Sequence, residues 1–174
     1  MGVERPGKPA LVGCGRAGLQ ASRAPRLHEQ EGARQGLPSM YKRIDLDLLG
    51  LTPAALPEIV TSAERLGFTG LNITYPCKQA VIELLDQLSP EARAIGAVNT
   101  VTFRAGRRFE HNTDWFGFTD IFRRQPSDVA SNPVAHICSG GAGSGVVPAL
   151  APLGPARVAP LSYNPYPAHL PCHP

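Results

Sequence analysis

The sequence predicts an α/β fold: an open, mostly parallel sheet flanked by helices, with the beginning of a second unit behind it. Three observations carry this. Strand-like and helix-like segments alternate through residue 124. Most helix-like segments start at or near a proline, and several stop at glycine. A further apolar run, "VAHIC", then leads into a glycine cluster, "CSGGAGSG", at 138–145.

Residues 8–12 read as a short buried strand. "SRAPRLHEQEGARQG" reads as a helix, with Pro25 in its first turn and Gly36 at its stop. Ala24 stands where a capping side chain is expected, an omission worth about 1 kcal/mol. "SMYKRIDLD" alternates as a strand. A helix follows within 53–66, with Leu56, Ile59, Val60, Ala63 and Leu66 on one face and Gly67 closing it. "FTGLNITY" is the next strand. Pro76 opens a helix with an apolar stripe of Ala80, Val81, Leu84, Leu85 and Leu88. Ser89-Pro90-Glu91 begins a short helix that Gly96 ends. "AVNTVTF" and "RFEHNT" flank Ala105-Gly106-Arg107 as a hairpin, and "DWFGFTDIFRR" is helical. The domain reading is 8–124, then a linker at 125–133, then 134–174.

Composition narrows the function classes. The 174 residues are 43% hydrophobic, enough for one good core. A net charge of +3 with scattered basic residues argues against nucleic acid as the main partner. No run approaches the ~20 apolar residues of a membrane span, and "MGVERPGKPA" lacks the apolar core of a signal peptide. Cys14, Cys77, Cys138 and Cys172 form no C-x-x-C pair, so no metal site is expected and a reducing cytoplasm fits.

Gly13-Cys14-Gly15-Arg16-Ala17-Gly18 spells G-x-G-x-x-G after an apolar run. Yet the helix waits for Pro25, and Asp45 lies beyond the ~20 residues at which a ribose-binding acid is expected. The richer chemistry is in "GLNITYPCKQA". A strand runs into a proline-opened helix whose first turn carries Lys78. The positive helix end opposes a cation there and favours a neutral amine that can accept a proton. The plainer alternative is a solvated lysine on an amphipathic helix. Asn99-Thr100 interrupts an apolar run, and Asn112-Thr113-Asp114 precedes a helix. In open α/β sheets ligands bind beyond the carboxyl ends of strands. Asn72, Thr74, Lys78, Asn99 and Asp114 are candidates to converge there around a small polyhydroxylated molecule; Thr113 or Asp114 is alternatively a helix cap.

"LNITYPCKQ", "IGAVNTV" and "HNTDWFGF" resemble the substrate domain of the shikimate/quinate dehydrogenases, over about residues 8–124. "LQASRAPRLHEQEG", "YKRIDLD" and "ERLGFTGLNITYPCKQ" resemble especially the quinate/shikimate branch. The resemblance implies hydride transfer between a ring hydroxyl of shikimate or quinate and NAD or NADP. It implies Lys78 as the catalytic base and Asp114 as its paired acid. It implies substrate contacts from Asn72, Thr74 and Asn99, and a carboxylate contact from Ser22. It also implies a cytoplasmic monomer or homodimer, with no nucleic-acid or membrane partner.

Against the family pattern, about three extra residues lie near Cys14-Gly15-Arg16, making the first glycine motif a by-product of an insertion. The cofactor loop is then the second cluster, with Gly140, Gly141, Ala142 and Gly143, although Cys138 replaces its first glycine. Ala24 replaces a second carboxylate-binding hydroxyl, a loss of roughly 1.5–3 kcal/mol. A dinucleotide domain needs well over ~100 residues. The proline-rich remainder after 133 supplies about 40, so 134–174 reads as an incomplete Rossmann-like start. The alternative function is a catalytically impaired module that binds the polyol alone.

Overall fold

The computed structural model describes residues 11–15, 19–37, 39–124, 133–137 and 157–161. The chain forms two compact units: 1–89 with 98–111, and 90–97 with 112–174. The α/β class is borne out in the first unit, and the sheet's make-up is specific. Strands β1 (Leu11–Gly15), β2 (Tyr41–Asp45), β3 (Gly70–Ile73), β4 (Thr100–Arg104) and β5 (Arg107–His111) lie in the order β2-β1-β3-β4-β5. The β1/β2 and β1/β3 pairings are parallel, while β3/β4 and β4/β5 are antiparallel. The sheet is therefore mixed: β4 alone runs opposite to the other four strands.

The core follows from period-2 and period-3.6 burial. Leu71 and Val101 face each other across β3 and β4, both fully buried. Helix α2 (Leu56–Arg65) sinks Leu56, Val60 and Ala63. Leu46, Ile73, Cys77, Val81 and Val98 complete the sealed centre. Leu66, expected on the same stripe, is 76% exposed, because the helix ends before it and the chain turns at Gly67 (φ 83°). Helix α1 (Ala24–Arg34) buries no residue fully. It is tied down by polar contacts instead: Glu29 Oε1 accepts the Tyr41 N–H at 3.0 Å, and the His28 and Tyr41 rings stack at 5.2 Å.

Two local readings change. The helix opened by Pro76 is only α3 (Cys77–Ala80), continuing as a 3-10 turn over Val81–Leu84 before Leu85 becomes extended. Ala80 is exposed and Leu88 lies beyond the helix, so the long apolar stripe does not form. The hairpin loop has two residues, Ala105 and Gly106, both at positive φ (50° and 71°), and Arg107 already belongs to β5. Such turns match the right-handed twist of the strands they join.

In the second unit, α4 (Pro90–Ile95) ends at Gly96 (φ 66°) and α5 spans Thr113–Arg124. Strands β6 (Pro133–Ile137) and β7 (Arg157–Leu161) pair in parallel. The expected strand after the linker is thus present. Among the described residues no helix is long and apolar enough to cross a membrane.

Candidate functional site

The register of β1, β3 and β4 brings several singled-out residues to one edge of the first unit's sheet. β1 and β3 are parallel and end together at Gly15 and Ile73–Thr74; β4, antiparallel to β3, begins there at Thr100. Asn72 and Thr100 are register partners, on the face opposite Leu71 and Val101. Asn72 Nδ2 donates to Thr100 Oγ1 at 3.3 Å, and Thr100 Oγ1 donates to Asn99 Oδ1 at 3.0 Å. Asn99 is buried, and its backbone carbonyl accepts the Ile73 N–H at 2.7 Å. Asn72 Oδ1 is buried and has no hydrogen-bond partner.

Lys78 lies on α3, just beyond the cis Tyr75–Pro76 peptide; its carbonyl accepts the Val98 N–H at 2.9 Å, so α3 is pinned beside Asn99. The helix-dipole argument for Lys78 finds little to act on, since a four-residue helix aligns few peptides. Thr74 is exposed, and its carbonyl accepts the Cys77 N–H at 2.9 Å, closing the turn into α3. Ser22 stands just before α1. The N-cap is Arg23 rather than the expected Ala24, which is the first helical residue; Arg23 makes no side-chain capping bond, and the Ser22 Oγ accepts the Ala24 N–H at 3.2 Å instead. A hydroxyl used as acceptor keeps its proton to donate.

In the second unit, Asn112 fills the capping role considered for Thr113 or Asp114. Its Oδ1 accepts the Trp115 N–H at 3.1 Å, and its Nδ2 donates to the Ala97 carbonyl at 2.9 Å. Asp114 occupies the exposed first turn of α5. Sequence reasoning missed Asn112 as the cap and Thr100 as the bridge. The signal for Thr100 was the strand-to-strand offset that sets it opposite Asn72.

The first glycine motif is structural where it is described. Gly13 and Gly15 lie inside β1. A Cβ on Gly13 would run into the Tyr41 hydroxyl; one on Gly15 would run into the Thr74 methyl. Asp45 Oδ1 accepts the Asp47 and Leu48 N–H groups at 3.1 and 3.4 Å, an Asx turn rather than a ribose contact. Gly140, Gly141, Ala142 and Gly143 lie outside the described residues.

A family model described as the shikimate dehydrogenase substrate binding domain matches residues 16–101. Shikimate dehydrogenase (NADP(+)) of Streptomyces avermitilis is 49% identical over 148 residues, 85% of this chain and 51% of that protein. The chain belongs to the shikimate/quinate dehydrogenase family. Another relative in the family, quinate/shikimate dehydrogenase (NAD(+)) of Corynebacterium efficiens, is 38% identical over 163 residues, 87% of this chain and 57% of its own. Quinate dehydrogenase from Corynebacterium glutamicum, solved in complex with NAD, matches with a TM-score of 0.79 at 38% identity, covering 88% of this chain and 55% of that one. The chain spans about half the length of the curated relatives it matches. The family-matched segment includes Ser22, Asn72, Thr74, Lys78 and Asn99; Asp114 and the second glycine cluster lie beyond it.

Proposed function

We propose that this chain supplies the substrate-binding part of a shikimate/quinate dehydrogenase, with residues 8–124 as the polyol-binding region and 134–174 as the start of a nicotinamide-binding domain. The observation that carries this is the linked Asn72–Thr100–Asn99 network beside the Lys78 turn, inside the family-matched segment. A ring polyol needs several convergent side-chain partners, and this sheet edge provides carboxamides, hydroxyls and an amine.

In this reading Lys78 takes the proton of the reacting ring hydroxyl in the oxidation direction, and Asp114 keeps the role of paired acid that the family resemblance implies for it. Asn72, Thr74 and Asn99 hold the remaining hydroxyls. Ser22, whose oxygen is already engaged by the Ala24 N–H, turns its proton to the substrate carboxylate. NAD or NADP, when bound, supplies the hydride acceptor. The strand-then-glycine order of β6 and Gly140–Gly143 is what supports placing it there. The setting proposed is cytoplasmic.

Separate calorimetric titrations of shikimate, quinate, NAD and NADP onto the chain test the reading, together with absorbance of reduced nicotinamide. Polyol and cofactor binding with turnover is the dehydrogenase outcome. Polyol binding alone makes the chain a binding module. Cofactor binding lost in Gly15→Ala but kept in Lys78→Ala would return the site to residues 13–18.

A further inference from the structure

We propose that Thr100 is a positioning residue that forces the carboxamides of Asn72 and Asn99 to face a ligand with opposite ends. The inference deepens the polyol reading and rests on it.

A threonine hydroxyl has one proton and can satisfy one acceptor with it. Thr100 gives that proton to Asn99 Oδ1 at 3.0 Å. Toward Asn72 the same oxygen can then only accept, which requires the Nδ2 end of that carboxamide, at 3.3 Å. With the proton given to Asn99, the two carboxamides present opposite ends to Thr100, carbonyl oxygen from Asn99 and NH2 from Asn72, so the ends turned away from it are opposite as well. Asn72 is left with its carbonyl oxygen turned away, and that atom is buried without a partner. Asn99 turns its NH2 away from Thr100. A buried carbonyl oxygen with no donor is costly unless something supplies an N–H or O–H. A ring hydroxyl supplies one. A hydroxyl is donor and acceptor at once, so neighbouring hydroxyls on a ring match an acceptor at 72 and a donor at 99. Thr100 thus sets which polar end each asparagine offers without touching the ligand itself.

The first arm needs no ligand. In the 15N-labelled chain, the side-chain NH2 signals of Asn72 and Asn99 are followed in wild type, Thr100→Val and Thr100→Ser. Thr100→Val keeps the shape without the hydroxyl; Thr100→Ala serves as a second hydroxyl-free variant if it folds poorly. Both hydroxyl-free variants should shift these signals and speed their exchange with water, and Thr100→Ser should restore them. Unchanged Asn72 and Asn99 signals in a folded hydroxyl-free variant overturn the proposal.

The second arm titrates shikimate and analogues each lacking one ring hydroxyl. Removing Thr100's hydroxyl should weaken shikimate about tenfold. The penalty should vanish for the analogue missing the hydroxyl that Asn72 accepts, with Thr100→Ser close to wild type. An equal loss for every analogue marks a merely structural role and overturns the inference. A wild-type chain that binds no polyol sinks the polyol reading, and the amide signals alone then decide the relay.

Discussion

A methyl group added at Gly15 meets the Thr74 methyl and lies 3.2 Å from the Tyr75 carbonyl oxygen. Gly15→Ala therefore overpacks the strand end and moves Thr74. Denaturant titration should show a loss of roughly 1–3 kcal/mol, and unchanged stability would show that the site has room. Ala105 is the opposite case. It holds φ 50°, which favours glycine or asparagine. Ala105→Asn, giving Asn-Gly in the two-residue turn, should stabilise by about 0.5–1 kcal/mol, read as a higher denaturant midpoint at unchanged slope. Residue identity told much here and pairing told the rest. Gly36, Gly67 and Gly96 were legible as helix stops because a left-handed backbone angle is a local demand. The packing duties of Gly13 and Gly15 were not, since Tyr41 and Thr74 arrive from elsewhere in the sequence. Thr100 was overlooked for the same reason; the Asn112 cap is local, and Thr113 and Asp114 beside it offered equally good capping side chains.

At the scale of elements, polar ties do what apolar area does not. Arg108 on β5 donates to Glu64 Oε2 from both Nε and Nη2, at 3.1 and 2.9 Å, and to Thr61 Oγ1 at 3.2 Å on α2. Its Nη1 reaches the Leu84 carbonyl at 3.4 Å, and its backbone N–H donates to Asp86 Oδ2 at 2.7 Å. The segment leading out of α3 is thus fastened to the hairpin. Arg108→Met should cost about 2–3 kcal/mol, seen as a lower denaturant midpoint, because Glu64 keeps a partly buried charge without its partner. Helix α1 carries a pH term. Burial against Tyr41 holds the His28 imidazole below its ordinary value, because water is withdrawn from the charged form. The unfolded chain then binds the proton more readily. The contribution is fully present above the ordinary histidine range of about 6.5 and is lost as pH falls through the lowered folded value. Thermal scans from about pH 7.5 to 5 should show a smaller drop in Tm for His28→Asn than for wild type; parallel curves would remove His28 from the acid response. The break of α3 after four residues was not legible, since "QAVIELLDQL" fits a helical period. Backbone bonds from Val98 to Lys78 and from Asp86 to Arg108 hold that stretch in another path.

At the scale of the whole molecule, alternation of strand and helix was enough to indicate the α/β class, because it is a property of the chain's period. The order β2-β1-β3-β4-β5 and the switch from parallel to antiparallel pairing depend on which edges meet, and only the hairpin part was local enough to read. The candidate binding residues Asn72 and Asn99 were legible as polar interruptions in apolar strands, and the structure links them. The proposed function depends on that linked edge receiving a ring polyol. Calorimetric titration of shikimate and quinate onto the wild-type chain and Asn99→Ala tests this most directly. The account predicts saturable binding of at least one of them to the wild type and about tenfold or greater weakening in Asn99→Ala. Absence of heat with both ligands, or identical isotherms for the two proteins, would contradict it.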